Sequence, residues 1–207
     1  MSLLPKTHLL AFAIALCGAQ VAFAGPILID VNTSSLAGTS GSIDFQFNPG
    51  AGTTQSATVS IVNFMGTGNY IGGSQQDVGA ASGGPVPATL TITNTNADNE
   101  DFEGYHFGSY LEFNLSFSGP AVTSPSGTAT SPTSFYFTVY SDLAGTNPAL
   151  TSAPSGILAE VDVNPNGSFS MSTTSNNATF TPEPSSVWLV GGALLALGFV
   201  ALRRRIA

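Results

Sequence analysis

Residues 111–117 read Leu-Glu-Phe-Asn-Leu-Ser-Phe, the longest strictly alternating run of apolar and polar side chains in the chain. In a β-strand successive side chains point to opposite faces, so this pattern places four apolar residues on one face and three polar residues on the other. A helix would need apolar residues at intervals of three and four. The run therefore predicts a half-buried strand with one face in a core and one in solvent.

The same alternation recurs along the chain, in runs around Ile27–Val31, Ile43–Phe47, Val59–Ile61, Leu90–Ile92, Phe135–Val139, Ile157–Val163 and Phe169–Met171. Turn-forming Gly, Pro and Asn residues separate the runs, as in Asn48-Pro-Gly50. About eight short strands joined by such turns are typical of an antiparallel β-sandwich, here jelly-roll-like. We expect this all-β domain to occupy residues 25–171, with 66–87 and 123–133 as long exposed loops.

The first 24 residues have the organisation of a secretory signal peptide. Lys6 supplies the positive charge, Leu9–Leu16 the apolar region, and Ala22-Phe-Ala24 a small-x-small cleavage site before Gly25. The sequence therefore predicts export through the Sec translocon and removal of residues 1–24 by signal peptidase. Cys17 falls in this leader, so the mature chain has no cysteine and no disulfide.

The last residues have three ordered parts. Pro182-Glu183-Pro184 follows a small, polar stretch, 172–181, which we expect to be a linker. Val187–Leu202 contains no charged residue and predicts a transmembrane helix, with Trp188 at its outer edge. Arg203, Arg204 and Arg205 close the segment and predict a cytoplasmic end.

This arrangement over 182–207 closely resembles the PEP-CTERM sorting signal of exosortase substrates. The resemblance implies a precursor held transiently in the inner membrane, recognition by a membrane-embedded exosortase, and removal of the hydrophobic tail. The mature protein would then be released or attached at the cell surface. Residues 30–50 also resemble the opening of a recurring, functionally uncharacterised group of PEP-CTERM proteins, which implies no particular activity.

The expected domain contains acidic side chains but neither Lys nor Arg. The four basic residues are Lys6 and Arg203–Arg205, so the span 25–202 has neither Lys nor Arg. All 12 acidic residues except Glu183 lie between Asp30 and Asp162. Because contacts to phosphate need cationic side chains, this domain is not expected to bind nucleic acid.

The side chains that carry catalysis are sparse. His106 is the one histidine of the mature chain, and no Gly-x-Ser-x-Gly motif accompanies it. One histidine without cysteine also makes a poor zinc site. We therefore expect a protein that is not an enzyme and needs no cofactor, with calcium as the open question.

Two acidic stretches could hold calcium. Asp98, Glu100, Asp101 and Glu103 form a cluster that predicts a solvated loop, a calcium site, or a glycosidase acid/base pair, in that order of preference. Asp162, Asn164 and Asn166 have the spacing of the first ligands of an EF-hand loop. Asn166-Gly167 favours a hairpin turn there instead, with weak calcium binding as an addition.

Two functions remain at this stage. The first is an exported cell-surface or extracellular-matrix protein with a structural or adhesive role in biofilm or floc, associated with exopolysaccharide. The alternative is a secreted carbohydrate-binding or carbohydrate-active β-sandwich that uses the carboxylates of 98–103 with Tyr105 or Tyr110.

Overall fold

The computed structural model describes residues 25–182. They form an all-β, sandwich-like fold of two antiparallel sheets, with one 3₁₀ turn (Ser34–Leu36) and one short helix, α1 (Pro120–Thr123). The strands are β1 (Ile27–Asn32), β2 (Ser40–Asn48), β3 (Thr58–Gly66), β4 (Asn69–Tyr70), β5 (Gln76–Val78), β6 (Ala81–Gly83), β7 (Leu90–Thr93), β8 (Glu100–His106), β9 (Tyr110–Ser118), β10 (Thr133–Tyr140), β11 (Ile157–Val163), β12 (Phe169–Thr173) and β13 (Ala178–Pro182).

The strands divide between a six-stranded and a seven-stranded sheet. The first has the order β13-β1-β9-β3-β7-β6, and the second β12-β11-β10-β2-β8-β4, with β5 also paired to β8. The eight runs predicted from alternation are all strands. The expected antiparallel all-β class is therefore confirmed, and β4, β5, β6, β8 and β13 are additional strands that the pattern did not predict.

Strand β9, which contains the run 111–117, lies inside the six-stranded sheet between β1 and β3. Phe113 is opposite Ile29 of β1, and Leu115 is opposite Ile61 of β3. Leu111, Phe113 and Leu115 are fully buried. The polar residues between them face the other side of the sheet, as the alternation predicted.

Phenylalanine side chains join the two sheets. Phe45 of β2 and Phe137 of β10 lie 5.1 Å apart between ring centroids, and Phe113 of the other sheet lies 5.4 Å and 5.0 Å from them. Phe64 stacks on Phe113 at 5.9 Å with an interplanar angle of 10°. Burying rings of this size supplies much of the hydrophobic free energy of folding, because each removes a large apolar area from water.

A bulge in β3 brings Phe64 into this cluster. The register of β3 against β9 shifts between Val62 and Met65, and Asn63 has a positive φ of 55°. The bulge breaks the alternation, so Phe64 faces the core and Met65 is 51% exposed. Regular alternation from Ile61 would have pointed Met65 inward.

The stretch 172–181 is not the linker that its composition predicted. Strand β12 continues to Thr173, and β13 pairs with β1 in continuous register from Ala178 opposite Val31 to Pro182 opposite Ile27. Ala178 is buried and Phe180 is half-buried against the core. An edge strand needs apolar residues on one face only, so a stretch this rich in Ser, Thr and Asn still completes a sheet.

The expected loops also contain structure, since 66–87 includes β4, β5 and β6. Within residues 25–182 the structure has no helix long and apolar enough to cross a membrane. The predicted signal peptide, with Ala22 and Ala24, lies outside the described residues. So do Glu183, Pro184, the span 187–202 and Arg203–Arg205.

Phe180 tests the assignment of β13 as part of the domain. We expect Phe180→Ser to lower the free energy of unfolding by about 1–3 kcal/mol, because a half-buried ring is lost from the core. Thermal unfolding followed by circular dichroism measures the change. Thr179→Ser, an exposed position on the same strand, is the control. Equal unfolding midpoints for both variants and the unsubstituted chain would contradict the assignment.

Candidate functional site

The carboxylates of 98–103 lie mainly on strand β8, not in the solvated loop that we preferred from the sequence. Asp98 is exposed before the strand, and Glu100 begins it. Asp101 and Glu103 are fully buried, because they face the same side as the core residues Phe45 and Ile43 opposite them. Alternation along β8 thus places Glu100 on one face of the sheet and Asp101 and Glu103 on the other.

Neutral donors hold the two buried carboxylates. The Gln75 Nε2 donates to Asp101 Oδ2 at 2.6 Å and to the Gly83 carbonyl oxygen at 3.0 Å. The Val86 backbone N–H lies 3.0 Å and 3.1 Å from the two carboxylate oxygens of Glu103. The Gln75 bonds connect the start of β5 and strand β6 to β8. The Val86 bonds connect the segment after β6 to β8. Both carboxylates therefore have a structural role.

Burial also changes the protonation of this cluster. Desolvation raises the pKa of Asp101 to about 9, with further raising contributions from the neighbouring carboxyls of Asp77 and Glu103. Desolvation raises the pKa of Glu103 as well, although hydrogen bonds from Asp101 and Val86 oppose this. Asp101 Oδ1 has no hydrogen-bond partner, since the Gln75 amide bonds to Oδ2. We infer that the Asp101 carboxyl keeps its proton at neutral pH, so the buried cluster carries one negative charge fewer.

The second acidic stretch forms a hairpin between β11 and β12, the alternative that the sequence favoured. The Asn164 N–H donates to the Ser168 carbonyl at 2.9 Å, and Gly167 has a φ of 79°. Asn166 Oδ1 accepts the Ser168 N–H at 3.0 Å. Asp162 precedes the turn on β11, where the Ser134 and Ser170 hydroxyls donate to its two oxygens, and the Asn164 amide also contacts the Ser170 hydroxyl.

The four carboxylates of 98–103 do not come together as calcium ligands. In the region 25–182 no three His, Cys, Asp or Glu side chains are arranged so that they could hold a metal ion. Strand geometry separates Glu100 from Asp101 and Glu103, and the hairpin uses the Asn166 oxygen internally. Asp101 and Glu103, which could have formed a glycosidase acid/base pair, likewise accept hydrogen bonds from within the domain.

His106 lies at the exposed end of β8, where its Nδ1 is 2.7 Å from the Ser40 hydroxyl oxygen. The two residues are cross-strand partners in the pairing of β2 with β8. A catalytic Ser–His pair needs a third group that orients the imidazole. Among residues 25–182 no carboxylate is hydrogen-bonded to this ring, so the contact is that of an ordinary cross-strand pair.

The two tyrosines named for carbohydrate binding differ in position. Tyr105 is buried in the core, and burial raises its pKa to about 12. Tyr110 is 39% exposed at the start of β9. Both line an open cavity of about 480 Å³, together with Met65, Tyr70 and Pro87. The carboxylates of 98–103 are not part of its lining.

The outer face of the seven-stranded sheet has a chemistry that the sequence pattern did not reveal. We call it the acidic–aromatic face and define it by Asp44 and Gln46 of β2, Glu100 and Phe102 of β8, Tyr136 and Tyr140 of β10, and Glu160 and Asp162 of β11. All eight residues alternate with core residues of the same strands. The Tyr136 side chain lies between Gln46 on one neighbouring strand and Glu160 on the other.

Asp44 is the most buried carboxylate of this face. Gln46 Nε2 donates to its Oδ2 at 2.8 Å, and its Oδ1 has no partner. Desolvation, followed by the charge of Glu100, raises the pKa of Asp44 to about 7. Phe102 and Tyr140 lie beside it, with ring centroids 6.1 Å apart.

The other sheet does not share this composition. Its outer face presents mostly small polar residues, among them Asn114, Ser116, Ser60 and Thr91. Tyr110 is its one outward aromatic residue in the described chain, at the very start of β9. The outward-facing aromatic residues are thus concentrated on the seven-stranded sheet. A general preference of aromatic residues for strands would place them on both sheets alike.

No family model, no curated protein and no solved structure gives a significant match to this chain.

Asp101→Asn tests the protonated carboxyl in β8. A pKa that is raised on folding favours the native state at low pH, and this contribution is lost as the pH rises from about 4 towards 9. We expect the variant to lose less stability than the unsubstituted chain between pH 5 and 9. Between these two pKa values the unsubstituted chain should lose up to about 1.4 kcal/mol of stability per pH unit that the variant does not lose.

Thermal unfolding across this pH range measures the effect. Glu112→Gln removes one negative charge from the outer face of the other sheet and serves as the control. The same pH dependence for Asp101→Asn and the unsubstituted chain would show that Asp101 does not carry the proton.

Proposed function

We propose that this chain is an exported cell-surface or extracellular-matrix protein, sorted and cleaved by an exosortase, with a non-enzymatic structural or adhesive role in biofilm or floc. The observation that carries the proposal is the three-part sequence at the C-terminus: Pro182-Glu183-Pro184, the uncharged span Val187–Leu202, and Arg203–Arg205. Sec translocon, signal peptidase and exosortase are the partners that this route requires.

The position of the domain's ends supports this route. Pro182, the first residue of the proposed sorting motif, is the last residue of β13, opposite Ile27 of β1. The proposed signal-peptidase site before Gly25 lies only two residues from Ile27. Both processing sites therefore adjoin the same end of the β1–β13 pair, and cleavage at both would leave the paired strands intact.

The absence of a linker at 172–181 sets the distance between the domain and the proposed membrane segment. Four residues, 183–186, separate Pro182 from Val187. Even with this segment fully extended, Pro182 and Val187 are at most about 18 Å apart, since five Cα–Cα steps join them. The precursor would thus hold its β-domain close to the membrane surface, with the β1–β13 end nearest to it.

The proposal that this chain has a non-enzymatic role is supported by the hydrogen bonds of its buried carboxylates. Gln75 and the Val86 N–H bind the carboxylates that the sequence had suggested for catalysis. These contacts connect strands of the domain and leave the groups in its interior. A jelly-roll-like sandwich stabilised in this way would serve as a rigid support for its outer surfaces.

A carbohydrate-binding role is the second candidate, and the acidic–aromatic face favours it. Aromatic rings beside carboxylates and amides on one sheet face are suited to sugar rings with several hydroxyls. The proposed location is this face, which keeps Glu100 of the 98–103 cluster but none of Asp101, Glu103, Tyr105 and Tyr110. Exopolysaccharide would then be the partner of the mature protein.

Two C-terminal variants test the sorting route. We expect Glu183→Ala, and separately deletion of Arg203–Arg205, to leave the full chain uncleaved in the inner membrane. The physical reason is that the first removes the charge between the prolines, and the second removes the cytoplasmic charges that fix the span.

Membrane fractionation and intact-mass measurement of the exported protein distinguish the processed and unprocessed forms. Glu112→Gln, which removes a carboxylate far along the sequence from the motif, should be processed normally. Normal cleavage and surface delivery of both C-terminal variants would refute processing by an exosortase.

A further inference from the structure

The open cavity next to Tyr110 lies at a gap in the sandwich. Strand β7 pairs with β3 only from Thr58 to Ile61, so in the described chain no strand of that sheet continues along this side of residues 62–66. Residues 64–66 line the cavity, which has a volume of about 480 Å³. Sites for small molecules usually have volumes of about 300–1,000 Å³. The cavity therefore has the size of a small-molecule site.

The bulge in β3 shapes the rim of this cavity. It turns Met65 outward, where its side chain is 51% exposed, and Tyr110 of the neighbouring strand is 39% exposed. Both residues line the cavity. A bulge with a positive φ at Asn63 costs free energy, and bulges are frequent next to active sites, where they re-aim a side chain. The rim thus presents two large side chains that a ligand could cover.

Two aromatic rings lie deeper in the cavity. Phe64 and Tyr105 are almost fully buried, and their ring centroids are 5.9 Å apart with an interplanar angle of 70°. Within residues 25–182 the Tyr105 hydroxyl makes no hydrogen bond to the protein. Buried polar groups usually have a partner, so this hydroxyl is available to a ligand. The interior of the cavity therefore offers aromatic surface and one free polar group.

The carboxylates around this cavity have no Lys or Arg to offset them, since the span 25–202 contains neither. Glu112 is the cross-strand partner of Met65 on one side and of Asp30 on the other. Like charges directly opposite on neighbouring strands destabilise a sheet. Behind the cavity wall, the Glu103 carboxylate accepts the N–H of Val86, a residue of the lining. A positively charged ligand would reduce the repulsion between these groups.

The lining itself selects the kind of cation. It contains no charged side chain and is mainly aromatic and aliphatic, with Phe64, Met65, Val86 and Pro87 among its residues. A hydrated metal ion would find few oxygen ligands there. Aromatic faces attract ammonium groups, and apolar walls favour an ammonium that carries alkyl groups. An anion of the same shape would be repelled by the surrounding carboxylates.

We propose that this cavity binds a small organic cation, an ammonium with apolar substituents. Met65 and Tyr110 would contact it at the rim, and Phe64 and Tyr105 beneath it. The inference goes beyond the proposed function, because neither the sorting route nor the structural role requires a small ligand.

The cavity also lies away from the proposed membrane attachment. Tyr110 is opposite Asn32 at one end of β1, whereas Pro182 is opposite Ile27 at the other end. Five residues of strand separate these ends, roughly 17 Å at the usual rise. A small molecule could therefore enter the cavity in the precursor as well as in the processed protein.

Three probes of the same shape but different charge test the proposal. Choline is the cation, 3,3-dimethyl-1-butanol the neutral analogue and 3,3-dimethylbutanoate the anion. They are titrated into the purified full chain labelled with ¹³C at the methionine methyl groups. We expect choline to shift the Met65 methyl signal saturably, the neutral analogue to bind about tenfold more weakly, and the anion to have no effect. Met171, an exposed methionine on β12, is the internal control and should not shift.

Variants locate the site and separate charge from shape. Tyr110→Ala should weaken choline binding several-fold, and Tyr110→Phe should retain it, because the ring supplies the attraction. Glu112→Gln should weaken choline binding about twofold and leave the neutral analogue unchanged. Tyr136→Ala removes a tyrosine from the other sheet and is the matched control. Unfolding midpoints show that each variant is folded.

Four results would overturn the proposal: no saturable shift of the Met65 signal, equal binding of choline and its neutral analogue, equal shifts of Met65 and Met171, or binding of the anion. These measurements need no variant, so they remain decisive even if a substitution unfolds the domain. They are also independent of C-terminal cleavage. Choline binding together with normal cleavage of the sorting variants would refute the exosortase route and leave the cation site standing.

Discussion

The structure depends on one constraint of composition: no Lys or Arg occurs between residues 25 and 202, so the carboxylates of the domain have no cationic side chain of that kind to pair with. The fold accommodates them in two ways. Asp101 and Glu103 are buried with neutral donors, and burial raises the pKa of both carboxyls. The others lie in loops or on the outer faces of the sheets, where Asp44 is also buried and takes Gln46 as its donor. The acidity of the domain thus shapes both its interior and the outer face of the seven-stranded sheet.

Periodicity alone predicted the eight strands that carry the core, because each has an alternating run long enough to show one buried face. It missed β13, whose composition is that of a linker, and β8, whose buried positions include two carboxylates. It also missed β4 to β6, which are only two or three residues long. Pairing with neighbours that are distant in sequence stabilises such strands, and no local pattern records it. The Phe64 bulge was missed for the same reason.

Prediction of the site was less successful, and β8 shows why. Four carboxylates within six residues suggested a solvated loop, since isolated buried carboxylates are costly. Gln75 and Val86 make the burial possible, but their proximity to β8 depends on the tertiary fold. The aromatic residues of the outer face could have been noticed, because Tyr136 and Tyr140 alternate with Phe135, Phe137 and Val139. Their position beside Gln46 and Glu160 could not be predicted, because it depends on the register of β2, β10 and β11.

The most direct test of this account is the titration of the Asp101 carboxyl by carbon-detected NMR, with the resonance assigned by comparison with Asp101→Asn. The account predicts a carboxyl that is still protonated at pH 7 and titrates at a pKa of about 9, far above the usual 3.8. A carboxyl that ionises near 3.8 would contradict it, because the buried cluster would then hold its negative charges with neutral donors alone.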